Sequence, residues 1–434
     1  MAIKALKSII NIIVVSLFIF PIEFVFLPGV NSKMIFAVFG IISYLVLGIS
    51  RSFIEASKEY VILAILALFV SICGIISVWY NDTTDFTYAS YIVSFAVWIA
   101  AAFFVITLIQ VNDGCVSIER LCYYLISVAV FQCVLAILLD ILPTFRNAVN
   151  SVVVGFASMH SAGEGLEKAG RLYGIGAALD VAGTRFAPIL AIIFAGISDV
   201  YNKNEKVKLY ILTVCFAFVL VVGSMISRTT FVGVIVAGVV FLASKNRMAF
   251  ARYLLCSFLI GFGIGAILYV SSDFFYENVR FAFEGFFNLF ERGEWTTGST
   301  ETLQEMYKIP DSLKTIIIGD GYFNEPYYTD PYYVGEEHNW GIFYMGTDVG
   351  YLRFIYYFGI VGLTAFIAYF VYATILCFKR FPRQKSIFIM LLLCNLIVWF
   401  KVATDIFCLF ALFLCVKKDD ESKDDICFCD TNLI

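Results

Sequence analysis

Residues 60–80 read YVILAILALFVSICGIISVWY, an apolar run with no charged residue and no proline. At a rise of about 1.5 Å per residue, a helix of that length matches the roughly 30 Å hydrocarbon core of a bilayer. The run is not alternating, so it does not fit a barrel strand. In lipid a continuous apolar run must satisfy its own backbone, and a helix does so.

The same pattern recurs at 9–27, 33–50, 89–110, 121–142, 181–199, 209–226, 230–244, 253–271, 350–377, 386–400 and 404–416. This predicts about twelve transmembrane helices in an all-α polytopic integral membrane protein. Composition agrees: 61% of the 434 residues are hydrophobic and only 15% are charged. A net charge of −4 argues for no nucleic-acid partner. No Walker loop, HExxH helix or nucleotide-binding glycine run occurs, so no ATP-driven or zinc-dependent mechanism is expected, and neither metal nor cofactor.

Basic residues sort the connections into two sides. Lys4, Lys7, Arg51, Lys58, Arg120, Lys203, Lys206, Lys208, Lys245, Arg247, Arg252, Lys379, Arg380, Arg383 and Lys385 fall on one side; Lys33, Arg228 and Lys401 fall on the other. The asymmetry predicts that both termini are cytoplasmic, with the first span an uncleaved anchor. The twelve cysteines avoid both long external loops, which fits reduced thiols. The Cys427 and Cys429 pair reads as tail, without the spacing of a zinc site. The expected division is 1–142 for helices 1–5, 143–180 for a first external loop, and 181–271 for helices 6–9. A large loop at 272–349, helices 10–12 at 350–416 and a tail at 417–434 complete it.

The loops carry the chemistry-bearing residues. The first holds Arg146, His160, Glu164, Glu167, Lys168 and Arg171. The second begins with a stretch placing Phe275, Val279, Phe283, Phe286 and Phe290 on one helical face, which suits either an interfacial helix or one packed on the bundle. A helix start follows at Gly298-Ser299-Thr300-Glu301 with Ser299 or Thr300 as N-cap, then a strand-like run from Thr315 to Ile318. Tyr322, Tyr327, Tyr328, Tyr332 and Tyr333 offer a sugar-binding surface or a loop mini-core. Arg171, Arg228, Arg280, Arg292 and Arg353 all lie in external loops or at span ends. Converging, they would bind a pyrophosphate bidentately without metal. Glu336, Glu337, His338 and Asp348 are candidate proton acceptors, with Asp348 alternatively an ion-pair partner for Arg353.

Four places resemble the O-antigen polymerase (Wzy-type) branch of the O-antigen polymerase/ligase superfamily. Arg171-Leu172-Tyr173-Gly174 is similar to its Arg-x-x-Gly segment, and Ser227-Arg228-Thr229-Thr230 to its Ser-Arg-Thr turn. Arg292-x-x-Trp295 with Ile318-Gly319-Asp320-Gly321 resembles its large periplasmic loop. Thr347-Asp348-Val349-Gly350-Tyr351-Leu352 and Gly359-Ile360-Val361-Gly362-Leu363 resemble the exit into the next helix. Ala177-Ala178-Leu179-Asp180 stands where the family usually has Pro-Asn, and His338-Asn339 resembles the ligase branch.

The resemblance implies a GT-C-like fold in the bacterial inner membrane, with the large loop periplasmic. It implies glycan transfer from undecaprenyl pyrophosphate to the terminal sugar of an undecaprenyl-pyrophosphate-linked repeat unit. Those lipid-linked oligosaccharides, membrane lipid, and a chain-length regulator and flippase of the same pathway are the implied partners. Two alternatives stand: an O-antigen ligase acting on lipid A-core, and a lipid-linked oligosaccharide flippase. The flippase would place charges at mid-membrane depth and have short loops.

Overall fold

The computed structural model describes residues 2–51, 58–154, 171–243, 247–330, 332–335, 337 and 342–417. His160, Glu164, Glu167, Lys168, Glu336, His338, Cys427 and Cys429 lie outside the described residues. The chain is mostly helical, and a helix lies over each of the twelve apolar stretches. In order these are α1 (Ala2–Ile19), α2 (Ser32–Arg51), α3 (Lys58–Asn81), α4 (Tyr91–Asp113) and α5 (Ile118–Ile141). After a short α6 (Pro143–Asn150) come α7 (Leu179–Asn202), α8 (Lys206–Ile226), α9 (Phe231–Ala243) and α10 (Arg247–Ser271). The large loop holds α11 (Asp273–Ala282), α12 (Glu284–Arg292), α13 (Gly298–Glu305), α14 (Leu313–Ile317) and α15 (Pro326–Thr329). The chain then runs through α16 (Gly350–Arg380), α17 (Lys385–Val398) and α18 (Phe407–Cys415).

Among the described residues six helices, α3, α4, α5, α7, α8 and α16, are long and apolar enough to cross a membrane. Many apolar side chains on their outer faces remain exposed, among them Ile65, Phe69, Val93 and Ile360. Such surface is costly in water and costs nothing against lipid. In α7 78% of the apolar window is buried, against 39% in α4, so α7 is the inner helix and α4 a peripheral one.

Four boundaries differ from expectation. The first helix ends at Ile19 rather than near residue 27. Pro21 has no N–H to continue the ladder. The chain turns instead into β1 (Glu23–Phe24) and β2 (Leu27–Asn31), and β3 (Val153–Val154) completes a sheet of order β2-β1-β3. The run at Thr315–Ile318 is the end of a short helix and not a strand. The N-cap of α13 is Thr297, whose hydroxyl oxygen accepts from Thr300 N. The aromatic stripe from 275 to 290 is broken at Phe283, which separates α11 from α12. Its first half packs inward, with Phe275 and Val279 buried; its second half leaves Phe286 and Phe290 exposed.

The large loop is fastened to the bundle at a kink in α16. Phe358 and Gly359 leave helical geometry, Gly359 at φ 67. A Cβ at Gly359 would lie 2.0 Å from the Ile317 carbonyl oxygen, so only glycine fits. The kink frees carbonyls that the loop then satisfies: Asp320 N donates to Tyr356 O at 2.6 Å and Gly321 N to Tyr357 O at 3.1 Å. Ser77 Oγ, from α3, also donates to Tyr357 O at 2.6 Å, and Asn81 Nδ2 donates to Gly319 O at 3.1 Å. The Ile318-Gly319-Asp320-Gly321 motif is therefore a docking joint between loop and helix.

Candidate anion-binding cavity

Residues 171–178 have no regular structure of their own, and polar side chains from neighbouring helices hold them. Leu172 N donates to Asn278 Oδ1 of α11 at 3.1 Å. Gln132 of α5 brackets Ile175, accepting from its N–H at 3.0 Å and donating to its carbonyl at 2.9 Å. Arg228 lies on a 3₁₀ turn, Arg228–Thr230, between α8 and α9. The hydroxyl of Thr230 fixes that turn by donating to Gly223 O at 3.0 Å. Both guanidiniums lie over the ring of Phe281, Arg171 at 4.6 Å and Arg228 at 4.0 Å from its centroid. One apolar ring thus carries two cations, a favourable contact for each.

These two arginines open onto a cavity of about 780 Å³. Arg280 enters it from α11, and one face of α12 supplies Glu284, Phe287, Asn288 and Arg292. Those four stand at i, i+3, i+4 and i+8, the spacing of a single helical face. Ser299, Thr302, Leu303 and Met306 line it from α13. Asp348 comes from the approach to α16, and Lys401 from the segment between α17 and α18. Five lining residues are cationic and two are acidic.

The acids do not balance the cations. Glu284 pairs with Arg228 and also accepts from Gly298 N. Arg280 is held by Glu291 through two contacts of 2.8 and 2.7 Å and stacks on Phe287, so its donors are largely committed. Among the described residues, no carboxylate lies within ion-pair distance of Arg171, Arg292 or Lys401. Burial, and then the charge of Arg228, make Arg171 less willing to hold its proton. Burial and the charge of Arg228 act on Lys401 in the same direction. Crowded cations of this kind are stabilised by a bound anion.

Asp348 is brought to the cavity by a close backbone approach. A Cβ at Gly350 would lie 2.5 Å from Val402 O and 2.8 Å from Trp399 O. Tyr351 N donates to Trp399 O at 3.0 Å. Trp399 is fully buried and stacks on Phe366 at 5.1 Å, which anchors the segment bearing Lys401. Burial pushes the Asp348 carboxyl up from its ordinary 3.8 to about 7, and the neighbouring Asp180 adds to the rise. Arg353 and Lys401 oppose it. Leu179, at φ 48, immediately precedes Asp180, and Met345, at φ 55, lies three residues before Asp348. Strain of this kind gathers at functional sites.

Of the five arginines singled out in the sequence, Arg171, Arg228, Arg280 and Arg292 meet in the cavity and Arg353 does not. Arg353 is buried beneath it, 3.6 Å from Asp348. It donates to Phe323 O and Asn324 Oδ1, both at 3.0 Å, and stacks on Phe323. Its role is to hold Asp348 and the loop rather than a ligand.

The five tyrosines are also elsewhere. Tyr322 packs on Tyr333 and Tyr344, a mini-core whose far side rests on Leu303 and Met306 of the cavity wall. Tyr327, Tyr328 and Tyr332 are exposed, and Tyr328 donates to Glu337 at 2.6 Å. That bond occupies Glu337 outside the cavity. Asp180, Glu284, Phe281 and Lys401 were not singled out by sequence. Lys401 carried one available clue: with Arg228, it is a rare basic residue in the short connections of the otherwise charge-poor side.

Comparison of the chain with protein-family models, curated proteins and solved structures gives no match.

Proposed function

We propose that this protein is an O-antigen polymerase of the Wzy type, a membrane glycosyltransferase that uses a polyprenyl-pyrophosphate-linked donor. One observation carries the reading: Arg171, Arg228, Arg280 and Arg292, from separate segments of the chain, converge with Lys401 on one cavity at the loop end of an apolar helical bundle. The lipid-linked pyrophosphate of the donor sits against Arg171 and Arg228, with Arg292 and Lys401 closing around it. The acceptor hydroxyl attacks the anomeric carbon of the donor glycan, and the bond from that carbon to the pyrophosphate oxygen breaks. The hydroxyl proton passes to Asp348, and undecaprenyl pyrophosphate leaves. Cations aimed at the departing oxygens act strongly in a partly dry site. A carboxylate titrating near neutrality is matched to taking the proton.

In this reading the twelve helices span the bacterial inner membrane in a GT-C-like arrangement. Both termini are cytoplasmic and residues 272–349 face the periplasm. The exposed Phe286, Phe290 and Trp295 lie in the interface, where a lipid-linked substrate arrives. Charges collected at one end of the bundle favour this over a flippase, which needs them at mid-depth. The glycan phenotype of a deletion strain tests the reading. Loss of a polymerase leaves a single repeat on lipid A-core; loss of a ligase leaves none; unchanged long chains refute both.

A further inference from the structure

Lys401 is half-buried, lines the cavity and has no carboxylate within ion-pair distance among the described residues. The backbone contacts of Gly350 and Tyr351 with Trp399 and Val402 hold its segment against the one bearing Asp348. Trp399 secures that segment further by donating from Nε1 to Thr404 O at 3.2 Å, and Thr404 in turn donates to Asp180 at 2.7 Å. The position of Lys401 is therefore built into the fold.

The groups around Asp348 come from several elements. Arg353 approaches from α16 at 3.6 Å. Asp180 acts from the start of α7 and Lys401 from the Trp399–Val402 segment. Arg171 and Arg228 share the cavity, with Glu284 beside Arg228. Of the cations, Arg353 is committed to the loop, whereas Lys401 has no carboxylate partner among the described residues to lose when an anion enters.

We propose that Lys401 is a pyrophosphate contact that also couples the cavity's occupancy to the protonation of Asp348. The inference rests on the polymerase reading and deepens it. In the empty cavity the charge of Lys401 favours ionised Asp348. A bound pyrophosphate cancels that charge and adds its own, so Asp348 gains affinity for a proton when the donor is in place. Where Asp348 remains ionised it is then the stronger base, while the fraction ionised at a given pH falls, so the donor-bound site needs a higher pH to work.

The test uses the full chain in detergent and inorganic pyrophosphate as the probe. Titration calorimetry in buffers of different ionisation enthalpy gives both affinity and protons taken up at pH 7. The ligand's own protons cancel in a comparison of wild type with Asp348→Asn. Wild type is expected to take up more protons than Asp348→Asn. Lys401→Gln is expected to bind about tenfold more weakly, the worth of one charged contact, and Lys401→Arg to stay within about threefold of wild type. Removing the cation also raises the proton affinity of Asp348, so the acid limb of the Lys401→Gln polymerisation profile moves to higher pH.

Equal proton uptake by wild type and Asp348→Asn overturns the coupling, and that comparison needs no change at Lys401. Unaltered affinity and an unmoved limb in a folded Lys401→Gln overturn the role of Lys401 while the polymerase reading stands. If wild type binds no pyrophosphate, the reading falls with the inference.

Discussion

Asp348→Asn should make the protein more stable while removing its activity, and only above mildly acidic pH. The carboxyl moves from 3.8 to about 7 on folding, a little over three units. At 1.36 kcal/mol per unit the ionised form costs the fold roughly 4 kcal/mol at most. The sign follows from proton counting. Below pH 4 both folded and unfolded chains hold the proton and Asp348 contributes no pH dependence. Between pH 4 and 7 the folded chain keeps a proton that the unfolded chain has lost, so stability falls as pH rises; above pH 7 the difference is constant. Asparagine escapes that cost, and the attraction of Arg353 is already contained in the carboxyl's position near 7. The net gain at pH 8 is then up to about 4 kcal/mol, and it should vanish at pH 4. Melting curves of the two proteins in the same detergent at pH 4, 6 and 8 measure it. A difference between variant and wild type that is the same at all three values would refute the view that Asp348 is held against its ionisation.

Arg171→Ala and Arg228→Ala should each abolish long chains at normal protein level, and lysine at either position should rescue little because it cannot form the planar two-point contact; banding of surface polysaccharide in a complemented deletion strain reads this out. Arg280→Ala should cost less in the same assay, because Glu291 already occupies that guanidinium. Gly359→Ala should lower stability by about 2–4 kcal/mol, combining positive-φ strain with a clash against the Ile317 carbonyl; Gly319→Ala should act on the same joint, and a double-variant cycle by melting should give less than the sum. His338→Gln should polymerise normally while Asp348→Asn falls by roughly a hundredfold or more, a usual general-base contribution; the opposite pattern would move the base to His338.

Much of the fold was legible because a bilayer demands long unbroken apolar runs, and such runs survive any tertiary arrangement. What the sequence blurred were places where a local feature outweighed the run. Pro21 stopped α1 early, and Phe283 divided one aromatic stripe into a buried half and an exposed half. Thr315–Ile318 reads as a strand by β-branching, but it is a helical turn pressed onto the α16 kink. Packing against Gly359 decides its shape, and no local propensity reports that contact.

The cavity was legible in part for a different reason. Arginine chemistry flagged Arg171, Arg228, Arg280 and Arg292 one by one, since a guanidinium near a membrane boundary invites an anion. It flagged Arg353 equally, and only the three-dimensional arrangement separates a buried guanidinium turned toward Phe323, Asn324 and Asp348 from one that lines the cavity. Lys401 and Asp180 illustrate the converse. Each is unremarkable in its own stretch, and each matters through proximity to Asp348, more than fifty residues away from Lys401 and far more from Asp180. Aromatic content left two readings for Tyr322 and Tyr333, a sugar surface or a loop mini-core, and their packing on each other is that of the mini-core. Partnering within the fold therefore sorts the candidates better than residue type does. Arg353, Arg280 and Tyr322 have internal partners, while Arg171, Arg292 and Lys401 have no carboxylate partner among the described residues and share a common space, and that space is where a ligand's charge is needed.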